Sequence, residues 1–162
     1  MTVLVAVRVP GKGAVIMADS QGTAPDGRLY EVDKIVKGKY VVAAACGALA
    51  TVSALRHSGI KAWNDIRQFA LDHGENHDFK LVCYDRQCDQ LWTIDNNGAE
   101  TTHSHWAAEG SGSAFAAGLL EDASPSKSLK EAMSLARRAT TVACRLHVEC
   151  GGEIRWVRSE AL

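Results

Sequence analysis

Short apolar runs separated by turn residues mark the β-strands of this chain. Each run is four to seven residues long and rich in β-branched, aromatic or small apolar side chains, a pattern typical of buried strands. Pro10-Gly11 and Asn97-Gly98 are turn signals between consecutive runs, so these pairs are predicted to form antiparallel hairpins. The predicted strands are residues 3–9, 14–18, 33–36, 40–46, 79–84, 90–94, 100–106 and 154–157.

A helical period replaces this pattern in three places. Apolar residues recur every three or four positions over 48–70, with a soft break at Ser58-Gly59, which predicts one interrupted helix or two. Small residues over 114–120 predict a short helix, and the capping box of Ser128 and Glu131 begins a longer one. The apolar face of the longer helix is formed by Leu129, Ala132, Met133, Ala136, Ala139, Ala143 and Leu146. Consecutive hairpins with helices in pairs predict an α+β fold, in which helices cover antiparallel sheets.

The composition is that of one globular domain, predicted to span residues 1–162. Hydrophobic residues make up 46% of the chain and charged residues 23%, which is ordinary for a domain with a single core. The net charge of −1 gives no positive surface for nucleic acid, and the apolar runs are far shorter than a membrane span. We therefore expect neither a nucleic-acid nor a membrane partner.

The five cysteines are odd in number and lack the spacing of a disulfide scaffold, which favours a reducing compartment and predicts a cytoplasmic protein. Cys83 and Cys88 do not combine with Cys144 and Cys150 into a zinc spacing. His103 and His105 fall on alternating positions of one predicted strand. No metal site is predicted, and buried or hairpin thiols are the favoured interpretation.

Thr2 is the candidate nucleophile. Removal of Met1 would leave a threonine with both a hydroxyl group and a free α-amine. A hydroxyl needs a neighbouring base to act as a nucleophile, and an α-amine, with a pKa of about 7.7–8.0, is partly neutral at physiological pH and can take the proton. Thr2 therefore carries a nucleophile and its base in one residue, provided that Met1 is removed.

Several motifs occur in a characteristic order after Thr2. They are the segment IMADSQGT at 16–23, Lys34 after a short loop, a strand ending in Gly47, the segment EGSGSAFAAGLL at 109–120, and a final helix followed by Gly151-Gly152. In this order and spacing the chain resembles β-type proteasome subunits, and more closely the bacterial HslV peptidases, among the N-terminal nucleophile (Ntn) hydrolases. The resemblance covers nearly the whole chain. It implies a four-layer αββα sandwich of two antiparallel sheets, with Thr2 at the mouth of a cleft between them.

The resemblance also implies roles for five residues. Thr2 would attack the peptide carbonyl, and its amine or a bound water would relay the proton. Lys34 would lower the proton affinity of the threonine through its positive charge, and Asp19 would hold Lys34 in place. The backbone N–H of Gly47 would donate to the oxyanion, and Ser111 would orient the amine of Thr2.

By the same resemblance, Gln21, Glu31, Ala45 and Leu49 would line the substrate cleft. The implied substrate is an unfolded protein or a peptide, and no cofactor is implied. Members of the family assemble into rings, so a homo-oligomer is expected, with the apolar face of residues 48–71 as the natural ring contact. An ATPase unfoldase is a further partner compatible with the family.

Two positions depart from the family pattern. Where the family has an aspartate and, three residues later, a serine that help to fix the threonine amine, this chain has His147 and Cys150. A neutral imidazole accepts one hydrogen bond but supplies no negative charge, and Glu149, at a helix end, would point elsewhere. Two functions follow: a threonine peptidase acting through Thr2, or a catalytically silent proteasome-like subunit that serves as an assembly or binding module.

Overall fold

Eleven strands and four helices make up the part of the chain described by the computed structural model, residues 2–75 and 77–162. The strands are β1 (Leu4–Val9), β2 (Gly13–Asp19), β3 (Gln21–Thr23), β4 (Leu29–Glu31), β5 (Ile35–Lys37), β6 (Val41–Gly47), β7 (Phe79–Asp85), β8 (Gln90–Asp95), β9 (Glu100–His103), β10 (Trp106–Glu109) and β11 (Ile154–Glu160). The helices are α1 (Leu49–His57), α2 (Trp63–Gly74), α3 (Ser113–Glu121) and α4 (Leu129–Leu146).

Two antiparallel sheets dominate the architecture. The first has the order β10-β1-β2-β11 and the second the order β5-β6-β7-β8-β9, while β3 and β4 form a small separate hairpin. Strands that follow each other along the chain pair as hairpins, as the turn residues predicted: β1 pairs with β2, and β7 with β8. The first strand of the chain therefore lies in the middle of its sheet, between β2 and β10.

Period-2 alternation along the strands separates three apolar layers. In β1, Leu4 and Ala6 belong to the core between the two sheets, whereas Val5 and Val7 belong to the core under α3 and α4. The third core lies between the second sheet and α1–α2 and includes Ile66. The order of layers is helices, sheet, sheet, helices, so the predicted α+β fold with a four-layer αββα sandwich is confirmed.

Helix α4 begins as predicted. The Ser128 hydroxyl accepts a hydrogen bond from the backbone N–H of Glu131 at 3.2 Å, and the Glu131 carboxylate accepts from the backbone N–H of Lys127 at 2.8 Å. Four of the predicted apolar positions are fully buried alanines: Ala132, Ala136, Ala139 and Ala143. Leu146 is different, with 60% of its surface exposed, because the last turn of the helix extends past the core, whose last α4 member is Ala143.

The segment predicted as one strand over 100–106 is two strands in different sheets. β9 pairs with β8, whereas β10 pairs with β1, and Ser104 and His105 carry the chain from one sheet to the other. Arg8 fixes this crossing, since its backbone N–H donates to the carbonyl of His105 and its guanidinium to that of Ser104. His103 and His105 therefore do not share a strand.

The helical segment over 48–70 is two helices rather than one, with the break at the predicted Ser58-Gly59. Gly59 has a φ of +66°, a conformation that glycine adopts without strain. Within the described residues, no helix is long and apolar enough to cross a membrane, and no group of three or more metal-ligating side chains is arranged to hold an ion.

The alanine face of α4 allows the helix to approach its sheet closely, which generates a stability prediction. Ala139→Leu adds a large side chain where Ala139 has no exposed surface, so we expect the free energy of unfolding in urea to fall by about 1–3 kcal/mol. Ser134→Leu adds the same side chain on the exposed face of α4 and is expected to change the free energy of unfolding by no more than about 0.5 kcal/mol. Equal effects of the two variants would contradict the close packing.

Candidate active site

Thr2 lies two residues before β1, at the end of the first sheet, and only 6% of its surface is exposed. Its main chain is held by the loop that leads into α3. The carbonyl oxygen of Thr2 accepts hydrogen bonds from the backbone N–H of Gly112 at 3.2 Å and from the hydroxyl of Ser111 at 3.4 Å. Gly110 has a φ of +93°, and a Cβ there would overlap the Thr2 carbonyl, so this close approach requires a glycine.

Asp19 and Lys34 form a buried ion pair beside Thr2. The Lys34 ammonium lies 2.8 Å from Asp19 Oδ1, and the two side chains are 3% and 0% exposed. Asp19 Oδ1 also accepts from the backbone N–H of Val3 at 2.9 Å, and Oδ2 from that of Gly151 at 3.1 Å. The carboxylate is therefore fully hydrogen-bonded, as a buried charge requires.

The Lys34 ammonium has three N–H donors, and two of them have protein partners. One is Asp19, and the other is the backbone carbonyl of Gln21 at 2.8 Å. Among the described residues, no hydrogen bond joins Lys34 Nζ to the hydroxyl of Thr2, although both side chains line the same cleft. The ammonium is thus oriented by two acceptors and faces the cleft that contains Thr2.

Ser111 is the hydrogen-bond partner of the backbone nitrogen of Thr2. The Thr2 N–H donates to Ser111 Oγ at 3.3 Å, and Ser111 Oγ lies 3.9 Å from the Sγ atom of Cys150. Burial raises the pKa of the Cys150 thiol, and the negative charge of Asp19 raises it further. The Thr2 nitrogen is therefore bonded to a hydroxyl group that itself lies beside a thiol, while the Asp19 carboxylate bonds to the N–H of the next residue, Val3. Met1, whose removal a free amine requires, lies outside the described residues.

His147 does not take part in this contact. Its Nδ1 atom accepts a hydrogen bond from the backbone N–H of Glu149 at 3.3 Å, and its ring packs edge-on against Phe115 at a centroid distance of 6.1 Å. His147 ends α4 with an extended backbone conformation, which directs the ring toward α3. Of the two departures from the family pattern, Cys150 lies beside Ser111 and His147 does not.

Gly47 ends β6 on the opposite side of the cleft. Its φ is +117°, and a Cβ there would overlap the backbone carbonyl of Asp78, so only glycine fits this position without displacing β7. Gly47 lines the cleft together with Thr2 and Lys34. The structure thus brings Thr2, Lys34 and Gly47 to one cavity, with Asp19 behind the lysine and Ser111 behind the threonine.

The cleft is small, with a volume of about 60 Å³. Its lining residues are Thr2, Gln21, Gly22, Thr23, Tyr30, Val32, Lys34, Gly47, Leu49 and Val52. Gln21 and Leu49, predicted to contact substrate, are among them. Glu31 and Ala45 are not: Glu31 faces solvent and lies 3.7 Å from Arg155, and Ala45 is fully buried in the core under α1 and α2.

Tyr30, Val32 and Val52 were not among the predicted cleft residues. Tyr30 pairs with Gly22 across the β3–β4 hairpin, and Val52 lies one turn into α1. Val52 could have been predicted from the sequence, because a residue three positions after Leu49 lies on the same face of the helix. The three-residue strands of the hairpin are too short to give a periodic signal, so Tyr30 could not be found in this way.

Many solved structures resemble this chain, and three of them are compared with it over nearly its whole length. HslV from Trypanosoma brucei is 17% identical, with a TM-score of 0.75 over 98% of this chain and 99% of the other. BPH from Thiobacillus denitrificans, solved in complex with epoxomicin, is 16% identical, with a TM-score of 0.75 and full coverage of both chains. Anbu from Hyphomicrobium sp. strain MC1 is 16% identical, with a TM-score of 0.80 over 98% of this chain and 82% of the other. This chain has a proteasome-like fold.

The proteasome-like fold confirms the resemblance found in the sequence at the level of architecture. No protein-family model matches the sequence, and a search of curated proteins found no match. At 16–17% identity the likeness concerns the fold, so the roles of Thr2 and its neighbours have to be argued from their own geometry.

The buried ion pair generates a prediction that does not depend on activity. Lys34→Met leaves the Asp19 carboxylate buried without its counter-charge, so we expect the free energy of unfolding to fall by about 3–5 kcal/mol. The matched control is Lys80→Met, because Lys80 pairs with Glu109 at 3.0 Å but is 53% exposed. That variant is expected to lose no more than about 1 kcal/mol. Similar losses in urea unfolding would contradict the buried pair.

The position of Cys150 generates a second prediction, in which Cys88 is the exposed reference thiol. Burial raises the pKa of both thiols, so the difference between them lies in access: only 4% of Cys150 is exposed, whereas Cys88 is exposed. A short iodoacetamide pulse should therefore alkylate Cys88 and spare Cys150 in the folded protein, and alkylate both in urea. Peptide mass mapping measures this, and equal modification of the two thiols in the folded protein would contradict the burial of Cys150.

Proposed function

We propose that this chain is a threonine-type Ntn hydrolase that cleaves peptide bonds through Thr2 after removal of Met1. The observation that carries the proposal is the meeting of Thr2, Lys34 and Gly47 in one cleft, with Asp19 and Ser111 behind them. These residues come from separate parts of the chain, and the close glycine contacts hold them there. The proteasome-like fold supports the proposal.

In the first half of the reaction, the hydroxyl oxygen of Thr2 attacks the peptide carbonyl. The hydroxyl proton passes to the free α-amine of Thr2, directly or through water, and from there to the leaving amine as the C–N bond breaks. The product is an ester between Thr2 and the acyl part of the substrate. The backbone N–H of Gly47 is proposed to donate to the oxyanion formed during the attack.

In the second half, water attacks the ester carbonyl and gives its proton to the α-amine, and the Thr2 oxygen leaves with a proton. The carboxylic acid product is released and the free Thr2 is restored, without a cofactor. The Lys34 ammonium disfavours a second positive charge nearby, which keeps the Thr2 amine in the neutral form that acts as a base. Ser111 orients that amine through the contact at 3.3 Å.

The proposed substrates are unfolded proteins or peptides, and the proposed assembly is a homo-oligomeric ring in the cytoplasm. The exposed side chain of Leu71 lies on the two-helix segment predicted as the ring contact, and exposed apolar surface is typical of interfaces. An ATPase unfoldase partner stays a prediction from the sequence resemblance.

A catalytically silent subunit is the second candidate function, and specific contacts favour it. Among the described residues, the hydrogen-bond partner of the Thr2 nitrogen is the hydroxyl of Ser111, and no hydrogen bond joins this nitrogen to a carboxylate. Among the described residues, Lys34 makes no hydrogen bond to the Thr2 hydroxyl. In this alternative the same fold serves as an assembly or binding module.

Intact mass before and after treatment with a peptidyl epoxyketone separates the two functions. The hydrolase should lose the mass of Met1 and gain one adduct, since an epoxyketone reacts with an N-terminal hydroxyl and amine together. The adduct should be absent in Thr2→Ala, which removes only the hydroxyl group and its methyl neighbour.

The control uses a precursor with a cleavable leader placed directly before Thr2. If the full-length protein gains no adduct but the cleaved precursor does, only removal of Met1 has failed and the hydrolase proposal stands. An exposed Thr2 that still gains no adduct would remove the hydrolase proposal and leave the silent subunit.

A further inference from the structure

We propose that Ser20 is a positioning residue for the site around Thr2, although it is not among the residues that line the cleft. Its hydroxyl group holds residues 150–153, the turn before β11, against the end of β2, and this turn contacts both Asp19 and Ser111. The inference rests on the proposed function for its effect on the reaction of Thr2. Its effect on the turn can also be measured in a protein that does not react.

Ser20 joins β2 to β3 and has no exposed surface. Its Oγ atom accepts a hydrogen bond from the backbone N–H of Glu153 at 2.8 Å. A polar group that is buried needs a partner inside the protein, because water cannot replace a lost hydrogen bond there. The bond between Ser20 and Glu153 is therefore a fixed link between the end of β2 and the turn before β11.

The turn approaches Ser20 closely because Gly152 has no side chain. Gly152 has a φ of +75°, and a Cβ there would lie 2.5 Å from the Oγ atom of Ser20. This distance is too short for two atoms that are not bonded to each other, and the positive φ also favours glycine. Gly152 therefore allows the backbone of the turn to lie directly against the hydroxyl group.

The turn is bonded to both acceptors that orient the Lys34 ammonium. The N–H of Gly151 donates to Asp19 Oδ2 at 3.1 Å, and the carbonyl of Gly151 accepts from the backbone N–H of Gln21 at 3.0 Å. Asp19 and the carbonyl of Gln21 are the two partners of the ammonium. A displaced turn would therefore loosen both of them at once.

The first residue of the turn, Cys150, contacts the loop behind Thr2. Its Sγ atom lies 3.9 Å from Ser111 Oγ, and Ser111 is the hydrogen-bond partner of the Thr2 nitrogen. A Cβ at Gly112 would lie 2.8 Å from the same Sγ atom, so the thiol packs against the backbone of this loop. One turn therefore contacts the groups that orient the lysine ammonium and the group that orients the threonine nitrogen.

The first test measures access to the Cys150 thiol and needs no reaction at Thr2. In Ser20→Ala the turn loses its acceptor, so we expect alkylation of Cys150 by iodoacetamide in the folded protein to become about 10-fold faster through local opening. Peptide mass mapping over time measures the rate, with the exposed Cys88 as internal reference. The control is Ser159→Ala, the same change at a buried hydroxyl group that has no hydrogen-bond partner among the described residues. An unchanged Cys150 rate in Ser20→Ala, or an equal rise in the control, would overturn the inference.

Gly152→Ala tests the same contact from the side of the turn. The added Cβ would overlap the hydroxyl group of Ser20, so we expect the turn to move and alkylation of Cys150 to become faster, as in Ser20→Ala. Gly11→Ala is the control, because Gly11 has a similar φ of +73° but no atom within 4 Å of an added Cβ. Gly152 is exposed, so this variant decides the question if Ser20→Ala does not fold. An equal effect of the two glycine variants would assign it to backbone strain and overturn the inference.

The second test measures the positioning of Thr2. With Thr2 exposed by the cleavable leader, we expect Ser20→Ala to lower the saturating rate of labelling by a peptidyl epoxyketone about 10- to 100-fold, the loss that a misplaced reactive group causes. The probe concentration that gives half this rate should stay nearly constant, because the residues that line the cleft are unaltered. Ser159→Ala should change neither quantity. Intact mass over time, at several probe concentrations, measures both.

The two tests separate this inference from the hydrolase proposal. If the exposed Thr2 of the unaltered protein gains no adduct, the hydrolase proposal fails, and the alkylation rates of Cys150 still decide whether Ser20 holds the turn. If Thr2 is labelled equally fast in Ser20→Ala and in the unaltered protein, the hydrolase proposal stands and the positioning role of Ser20 is overturned.

Discussion

The ion pair between Asp19 and Lys34 is the interaction on which the rest of the site depends. The carboxylate of Asp19 lies at the end of β2 and accepts from three donors: Val3 N–H, Gly151 N–H and the Lys34 ammonium. It thereby joins the start of β1, the residue before β5 and the turn before β11. A buried pair adds little net stability, but loss of either partner is costly, so the pair mainly fixes where these three segments meet.

Thr2 is held in place by backbone segments that approach it closely, and these segments have glycine where a side chain would not fit. β1 is central in its sheet, so Thr2 emerges beside β2 and β10 and not at an open edge. Gly110 and Gly47 have positive φ angles and no room for a Cβ, one against the Thr2 carbonyl and the other across the cleft. The helical layers pack these segments from outside, while the cleft opens between the sheets.

Most of the fold could be predicted from the sequence, and there are physical reasons why the rest could not. Strands of six or seven residues with buried faces have a clear period, so β1, β2, β6 and β7 were predicted within one or two residues. The change of sheet at Ser104-His105 leaves no local pattern, because both flanking segments are extended. Ala45 was assigned to the cleft, but its backbone N–H bonds to the carbonyl of Lys34 and its side chain points into the helical core. Thr2, Asp19, Lys34, Gly47 and Ser111 were predicted together only through the family resemblance.

The uncharged hydrogen-bond partner of the Thr2 nitrogen, Ser111, bears on both proposed functions. A carboxylate in direct contact with an amine stabilises the ammonium form, whereas a hydroxyl does not. Lys34, whose charge opposes a second positive charge, is itself paired with Asp19. The base that the reaction needs is the neutral amine, so the presence of His147 where the family has an aspartate does not remove the base. It removes a charged contact that would hold the amine in one orientation. The two proposed functions thus differ in how firmly Ser111 alone can orient the Thr2 nitrogen, through a hydrogen bond of 3.3 Å.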